Sequence, residues 1–377
     1  MTINLAQELN DYLSYNPSFD LSVEIILKVF ILCSHQLEAS DSYFTQIILL
    51  IIQKLLLKSD DICEIIDNSL IEKIATILNR KEEKRLVSLS LNILKIIFSK
   101  SQTMIPQEIM KSILDIFKIM IYSDELISIN CKDLIFIHIN QIFTLDENLI
   151  SLFDFCFQSL SLNNIQVSAT CLSIIRHFVE KFAFIPLSMQ NCQILITMLD
   201  ISNISLLIEV FQIFECFATS DENLQNMVDC QIIDHICSLK LQIYPNVYQA
   251  MLHLISILAG KNQNLCLKAL GFIKSKEFDK QSFPCKILFH SILVSSIKNN
   301  FIWKGDELFN IFYENLLNFS DSMPNDLLYD SLLIIYHSQD FQVSEDFFDV
   351  LNDLTITSEN EKIAQIADSI LSKFSKE

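Results

Sequence analysis

The sequence predicts an all-α protein, a right-handed α–α superhelix built as a helical-repeat solenoid of about eight units, each about 40 residues long. Three observations predict it. Glycine is nearly missing: only Gly260, Gly271 and Gly305 occur in 377 residues. That is too few for the turns, bulges and phosphate loops of β-rich or Rossmann-type folds. Apolar residues recur at helical spacing over long windows. Those windows themselves return at a nearly constant interval.

Helical spacing is plain at Leu207, Val210, Phe211 and Phe214, and again at Met251, Leu254, Ile255 and Leu258, each set on one helix face. Isoleucine is abundant and favours strands. The apolar segments, however, run well past a strand of about five or six residues, and turn dipeptides are missing. Taken in order, the long apolar helices start near Gln46, Val87, Ile127, Val167, Ser205, Val247, Cys285, Asp326 and Ile363. A shorter set falls between them, near Leu70, Ile109, Leu149, Gln190, Ile232, Leu265, Leu308 and Glu345. One such unit cannot bury its apolar face alone, so neighbours must stack into a continuous core. The chain then reads as a single solenoid over 1–377, with an atypical N-terminal cap (1–41), tandem repeats (42–358) and a C-terminal cap helix (359–377). Both ends are polar in composition and are expected to turn a more polar side outward.

The segment Ser220–Leu239 (SDENLQNMVDCQIIDHICSL) resembles the first two helices of an armadillo repeat, most closely those of importin-alpha-like proteins. It has the acidic pair Asp221 and Glu222, then Gln225, the apolar pair Met227 and Val228, then Asp229 and the small Cys230. Gln231 stands where that family has a turn glycine. Asn246–Asn264 resembles the third helix, with Ala259 and Gly260 at the turn into the next repeat. The signature returns in Ser59–Leu78, where Asp67 corresponds to Asp229, and more faintly in Leu145–Phe153.

The resemblance implies an armadillo-like solenoid of the armadillo and HEAT superfamily, with a concave groove lined by third helices. In importin-alpha-like proteins a repeated Trp and Asn pair there clamps an extended basic peptide. The Trp positions fall on Leu252, Phe211, Phe136 and Leu172, and the Asn positions on Ser256, Glu215, Asn140 and Arg176. Asn140 alone keeps the family's residue, and the sole tryptophan, Trp303, falls in a turn. The basic N-terminal segment of import adaptors has no counterpart, since the first basic residue is Lys28.

Charge and motifs narrow the function. The net charge is −19, from 27 basic and 46 acidic residues, which argues against phosphate-backbone binding to nucleic acid. Acidic residues run from Asp306 to Glu361 (among them Glu307, Glu314, Asp321, Asp326 and Asp330) without one Lys or Arg. This flank can steer a basic partner or simply solvate the surface. The basic stretch Arg80 to Arg85 reads as an exposed turn. The most apolar run, Ile47 to Leu57, is broken by Gln53 and Lys54 and is shorter than the roughly 20 residues of a membrane span. The N-terminus lacks signal-peptide features, and eleven scattered cysteines read as reduced thiols of the cytosol or nucleus.

The seven histidines are spread over separate repeats, no catalytic or phosphate-loop motif appears, and no cofactor is implied. Asp234, His235 and Cys237, with Cys266 and His253 as further partners, come nearest to a metal set. Two of the three would face different sides of a helix, so no metal site is expected.

These readings converge on a non-catalytic scaffold that binds a protein or peptide in a groove of Phe136, Asn140, Arg176, Phe211, Glu215, Leu252 and Ser256. Phe136 and Phe211 are candidates to hold cationic side chains at about 0.5–2 kcal/mol each, with a plain core role as the alternative. A divergent import adaptor for basic cargo and a regulatory subunit of an enzyme complex are the other readings.

Overall fold

The computed structural model describes residues 1–15, 23–37, 41–58, 62, 66, 68–101, 103–182, 184–200, 203–239, 241, 244–274, 280–302, 306–338 and 344–374. Asp67, Trp303 and Gly305, which the sequence reading singles out, lie outside them. Among the described residues the regular elements are twenty α-helices and one short 3-10 turn, with no strand. The chain divides into two compact units, Met1–Phe182 and Ala183–Glu377.

The first unit holds α1 (Ile3–Tyr15), α2 (Val23–His35), α3 (Ser42–Lys58), α4 (Asn68–Leu78), α5 (Lys84–Ser101), α6 (Gln107–Met120), α7 (Glu125–Gln141), α8 (Glu147–Ser159) and α9 (Ile165–Lys181). Helices α1, α3, α5, α7 and α9 pack successively into one layer, while α4, α6 and α8 stack as a second layer against it. The long helices are sandwiched and so must be apolar nearly all round. Thus α3 buries Ile47, Ile48, Leu49, Ile51, Ile52, Leu55 and Leu56 together. This explains the high apolar fraction without any membrane segment. No helix among the described residues is long and apolar enough to cross a membrane.

The second unit holds α10 (Met189–Met198), α11 (Ile204–Phe217), α12 (Asp221–Asp229), α13 (Ile232–Ser238), α14 (Pro245–Lys261), α15 (Gln263–Lys274), α16 (Phe283–Lys298), α17 (Glu307–Phe319), α18 (Asn325–His337), α19 (Glu345–Thr357) and α20 (Glu361–Phe374). Here α11, α14, α16, α18 and α20 form the layer of long helices.

Short polar turns replace glycine. Asp124, Asp146 and Asn164 each accept a hydrogen bond through a side-chain oxygen from the backbone N–H three residues on, which starts α7, α8 and α9. Each such cap stabilises its helix by about 1 kcal/mol. Where the sequence resembles an armadillo repeat most closely, α12, α13 and α14 supply its three helices. Gln231, between α12 and α13, has φ 57° and ψ 38°. It therefore takes the left-handed conformation of the glycine it replaces, at a steric cost to its Cβ.

In the N-terminal segment α1 and α2 expose Asn4, Glu8, Glu24 and Lys28 together with apolar side chains; Leu5, Tyr12, Ile25, Ile31 and Leu32 are each between 42% and 54% exposed. Asn10 of α1 is buried beneath Lys54 of α3 and accepts a hydrogen bond from it.

Candidate functional site

The long helices expose a narrow face where side chains from successive helices line up. In the first unit that row is Lys54, Lys95, Phe136 and His177, each 41 residues after the last and each half-buried. The Lys54 ammonium donates to Asn10 O at 2.9 Å and Asn10 Oδ1 at 2.6 Å. Burial pulls its pKa down, partly offset by Asp11. Lys95 pairs with Asp133 at 3.2 Å. Phe136 stacks on His177, with ring centroids 4.4 Å apart and planes at 30°. Lys132 Nζ lies 5.8 Å from the centre of the Phe136 ring. Burial lowers the pKa of His177 despite the nearby Glu180, so at neutral pH the ring stacks as a neutral imidazole.

Of the predicted groove residues, this row takes in Phe136, flanked by Asn140 and Arg176. Asn140 is exposed, and its carbonyl accepts from Lys181 Nζ at 3.4 Å. Arg176 Nε sits 3.3 Å from Glu180 on the same helix. In the second unit Glu215 reaches His253 Nδ1 at 2.8 Å. The hydrogen bond to Glu215 outweighs desolvation and raises the His253 pKa.

Three expected positions belong to the core instead. Phe211, Leu252 and Leu172 are 0% exposed, so a bound peptide cannot reach them. Phe211 shares its face with Leu207, Val210 and Phe214, and that apolar stripe points into the layer. Leu252 likewise joins Met251, Leu254 and Ile255. Ser256 is nearly buried and donates to the His253 carbonyl at 2.7 Å, satisfying itself within its own helix.

The acidic flank splits in a similar way. Asp306 caps α17 by accepting from Leu308 N at 3.0 Å, and Asp330 pairs with Lys298 at 2.5 Å. Glu307, Glu314 and Asp326 face solvent. In the basic turn, Lys84 lies 3.7 Å from Asp124. Asp234, from the nearest approach to a metal set, pairs with Lys268. Among the described residues no three His, Cys, Asp or Glu side chains converge on a common point.

Sequence reasoning missed two features. A lysine near the C-terminal end of one long helix caps the carbonyls ending its predecessor. Lys100 donates to Leu56 O at 2.8 Å and Lys373 to Tyr336 O at 2.5 Å, as Lys181 does to Asn140. This places a cation at the negative end of the preceding helix dipole, and the recurring lysines were a visible signal. The second feature is His290 on α16, fully buried, stacked on Phe312 at 5.0 Å and 8° and bonded through Nε2 to Ser331 Oγ at 2.9 Å. The Ser331 hydroxyl proton goes to Leu327 O, so Nε2 carries the donor hydrogen and Nδ1 is a bare acceptor. Burial drives this histidine's pKa down to about 3.

No family model matches the chain, and no curated protein matches it in sequence. Among solved structures, an engineered protein from a structural genomics consortium aligns with a TM-score of 0.63 at 12% identity, over 99% of this chain and 95% of its own. A chain from a structure of the phosphorylation-controlled interaction between cadherin and beta-catenin aligns with a TM-score of 0.52 at 10% identity, over 93% and 86%. A computationally designed armadillo repeat protein for modular peptide recognition aligns over 59% of this chain and 98% of its own, at 13% identity and a TM-score of 0.43. The fold is armadillo-like. Identities this low speak to the fold alone. The Lys54 to His177 row lies on the long helices α3, α5, α7 and α9 of this fold.

Proposed function

We propose that this chain is a non-catalytic scaffold that binds a protein or peptide partner along the exposed face of its long helices. The observation that carries this reading is the row Lys54, Lys95, Phe136 and His177. Four helices contribute one long, half-buried side chain each, at one constant spacing. Such a row offers aliphatic stems, an aromatic platform and hydrogen-bond donors to a segment that crosses several repeats at once. Helical-repeat neighbours that bind peptides or proteins are in keeping with it. Cytoplasm or nucleus is the proposed location, in keeping with the ten cysteines among the described residues, none of which is in a disulfide.

Two finer readings have narrower support. An import adaptor for basic cargo draws on Asn140 and on the exposed Glu307, Glu314 and Asp326, but Phe211 and Leu252 are not available to it. A regulatory subunit of an enzyme complex uses the same surface and differs only in its partner.

The test is affinity capture from the protein's own cells, comparing the intact chain with a Phe136→Ala, Lys95→Ala double variant of matched thermal stability. Selective loss of a partner set from the variant supports the reading. An unchanged set removes this face as the binding surface. Recovery of a transport receptor with basic proteins, lost at moderate salt, favours the import reading.

A further inference from the structure

Cysteines that are scattered along the sequence are brought together where repeats stack. Cys192 on α10 and Cys230, just past α12, are 38 residues apart in the chain, yet their thiols lie within hydrogen-bonding reach of each other. The Cys230 Sγ also lies 3.8 Å from the Sδ of Met189, the first residue of α10, and 3.8 Å from its carbonyl oxygen. Met189 and Cys192 are three apart on one helix, so their side chains share a face. Three sulfurs from two elements therefore gather at one place.

The backbone around them is fixed by hydrogen bonds. Asn223 of α12 accepts from Leu187 N at 2.7 Å and donates to Ile185 O at 3.1 Å, both buried. Asn226 donates to Leu187 O at 2.8 Å. Asn223, Asn226 and Cys230 fall at helical spacing on one face. The segment leading into α10 is thus stitched to the face that carries Cys230. Support of this kind sets ligands in place before an ion arrives. Cys192 is 0% exposed, Cys230 8% and Met189 40%, so the thiols are shielded from water while the thioether reaches it.

The donor set decides the ligand. Two thiols and a thioether are soft donors, which favour Cu(I). In a trigonal complex with metal–sulfur bonds of about 2.3 Å the sulfurs sit about 4 Å apart, and the Met189–Cys230 separation already matches. Zn(II) in a closed site takes four ligands, and among the described residues no third His, Cys, Asp or Glu joins these two cysteines. Burial, and then the contact with Cys230, pushes the Cys192 thiol up. It therefore stays protonated and slow to react with oxidants.

We propose that Met189, Cys192 and Cys230 form a Cu(I) site, in which two thiolates and one thioether hold a single ion and clamp α10 to α12. One Cu(I) replaces the two thiol protons, giving a complex of charge −1 and releasing two protons to solvent, so affinity rises with pH. This site does not depend on the long-helix face or on a partner bound there.

The test is an anaerobic titration of the reduced intact chain with Cu(I) against a chromophoric Cu(I) chelator, with X-ray absorption on the one-equivalent sample. The expected result is one ion taken from the chelator, bound by three sulfurs at about 2.3 Å, together with a higher thermal midpoint. Cys192→Ala and Cys230→Ala should each lower the affinity at least about a hundredfold. Met189→Leu should lower it about tenfold and leave two sulfurs on the ion. Cys156→Ala, at a fully buried thiol that contacts Cys171 in the first unit, leaves the first equivalent unchanged. If an alanine variant fails to fold, Met189→Leu still decides, because Met189 is partly exposed and leucine keeps its bulk. An affinity and a sulfur count that survive Met189→Leu overturn the proposal. So does a first equivalent that ignores both alanine variants, because copper would then sit on other thiols.

Discussion

The two units solve one problem, how to tie each long helix to the next, by different means. In residues 1–182 the ties lie near the surface: Lys54 on the buried Asn10, Lys95 on Asp133, and Phe136 on His177, with the lysines and the rings half-buried. In residues 183–377 one tie is sealed from water, the His290–Ser331 pair beneath Phe312, and another, Glu215–His253, stands at the surface. A buried polar pair fixes register because every alternative leaves a donor unpaired in a medium that cannot replace it. A surface tie costs less to lose, and its side chains remain available to a partner. The first unit is therefore the better candidate for binding through its long helices, and the second for holding shape.

Replacing His290 should produce the largest effect. His290→Ala removes a fully buried ring and strips Ser331 of the hydrogen bond it accepts, a loss of about 3 kcal/mol in denaturant unfolding. The same residue sets an acid response. Its folded pKa, about 3, lies below the ordinary 6.5 it regains on unfolding. Its full contribution is therefore present above pH 6.5 and is lost progressively as the pH falls towards 3, because only the unfolded chain takes up the proton there. Stability of the intact chain should decline through that window. His290→Ala should show a shallower decline, and an equal slope would mean that the ring is not sealed.

The surface counterpart should matter less. His177→Ala removes a stacked ring that is only half-buried, with an expected cost of about 1 kcal/mol. A cost equal to that of His290→Ala would erase the contrast between the units. Lysine caps occur in both units, so they test what the two share. Lys100→Met and Lys373→Met keep the aliphatic stem and delete the cation at the preceding helix end, for about 1 kcal/mol each.

Much of the fold was legible because burial imposes periodicity. The predicted starts at Ile127, Val167 and Ser205 fall inside α7, α9 and α11, two or three residues after the Asp124, Asn164 and Asn203 caps that begin them. The site was less legible. Phe211 and Glu215 are four apart on α11, yet one is sealed and the other keeps a partly exposed carboxylate. A sandwiched helix is apolar nearly all round, so hydrophobicity does not say which side faces the next layer. Spacing across repeats carries more of that information. The constant interval from Lys54 to Lys95, Phe136 and His177 picks out chemically unlike residues that composition would not group. Gln231 shows the same limit at the backbone. It reads as a departure from glycine, yet it adopts the glycine conformation. Gln231→Gly should therefore stabilise the second unit by up to about 1 kcal/mol, measured by thermal unfolding.

The smallest effect, and the one that best sharpens the comparison, is a titration. His253 is about half exposed, and Glu215 holds its pKa above the ordinary 6.5. The sign is opposite to that of His290. A raised folded pKa gives stability that is fully present below pH 6.5 and fades as the pH rises through the folded value. Followed by NMR on the imidazole protons, His253 should titrate above 6.5 in the intact chain and fall towards it in Glu215→Gln. His290 should show no titration over the same range. A His253 that ignores the Glu215 change would mean that the surface pair does not form in solution. The second unit would then tie its long helices through the sealed His290–Ser331 pair and through Lys298–Asp330, not through Glu215–His253.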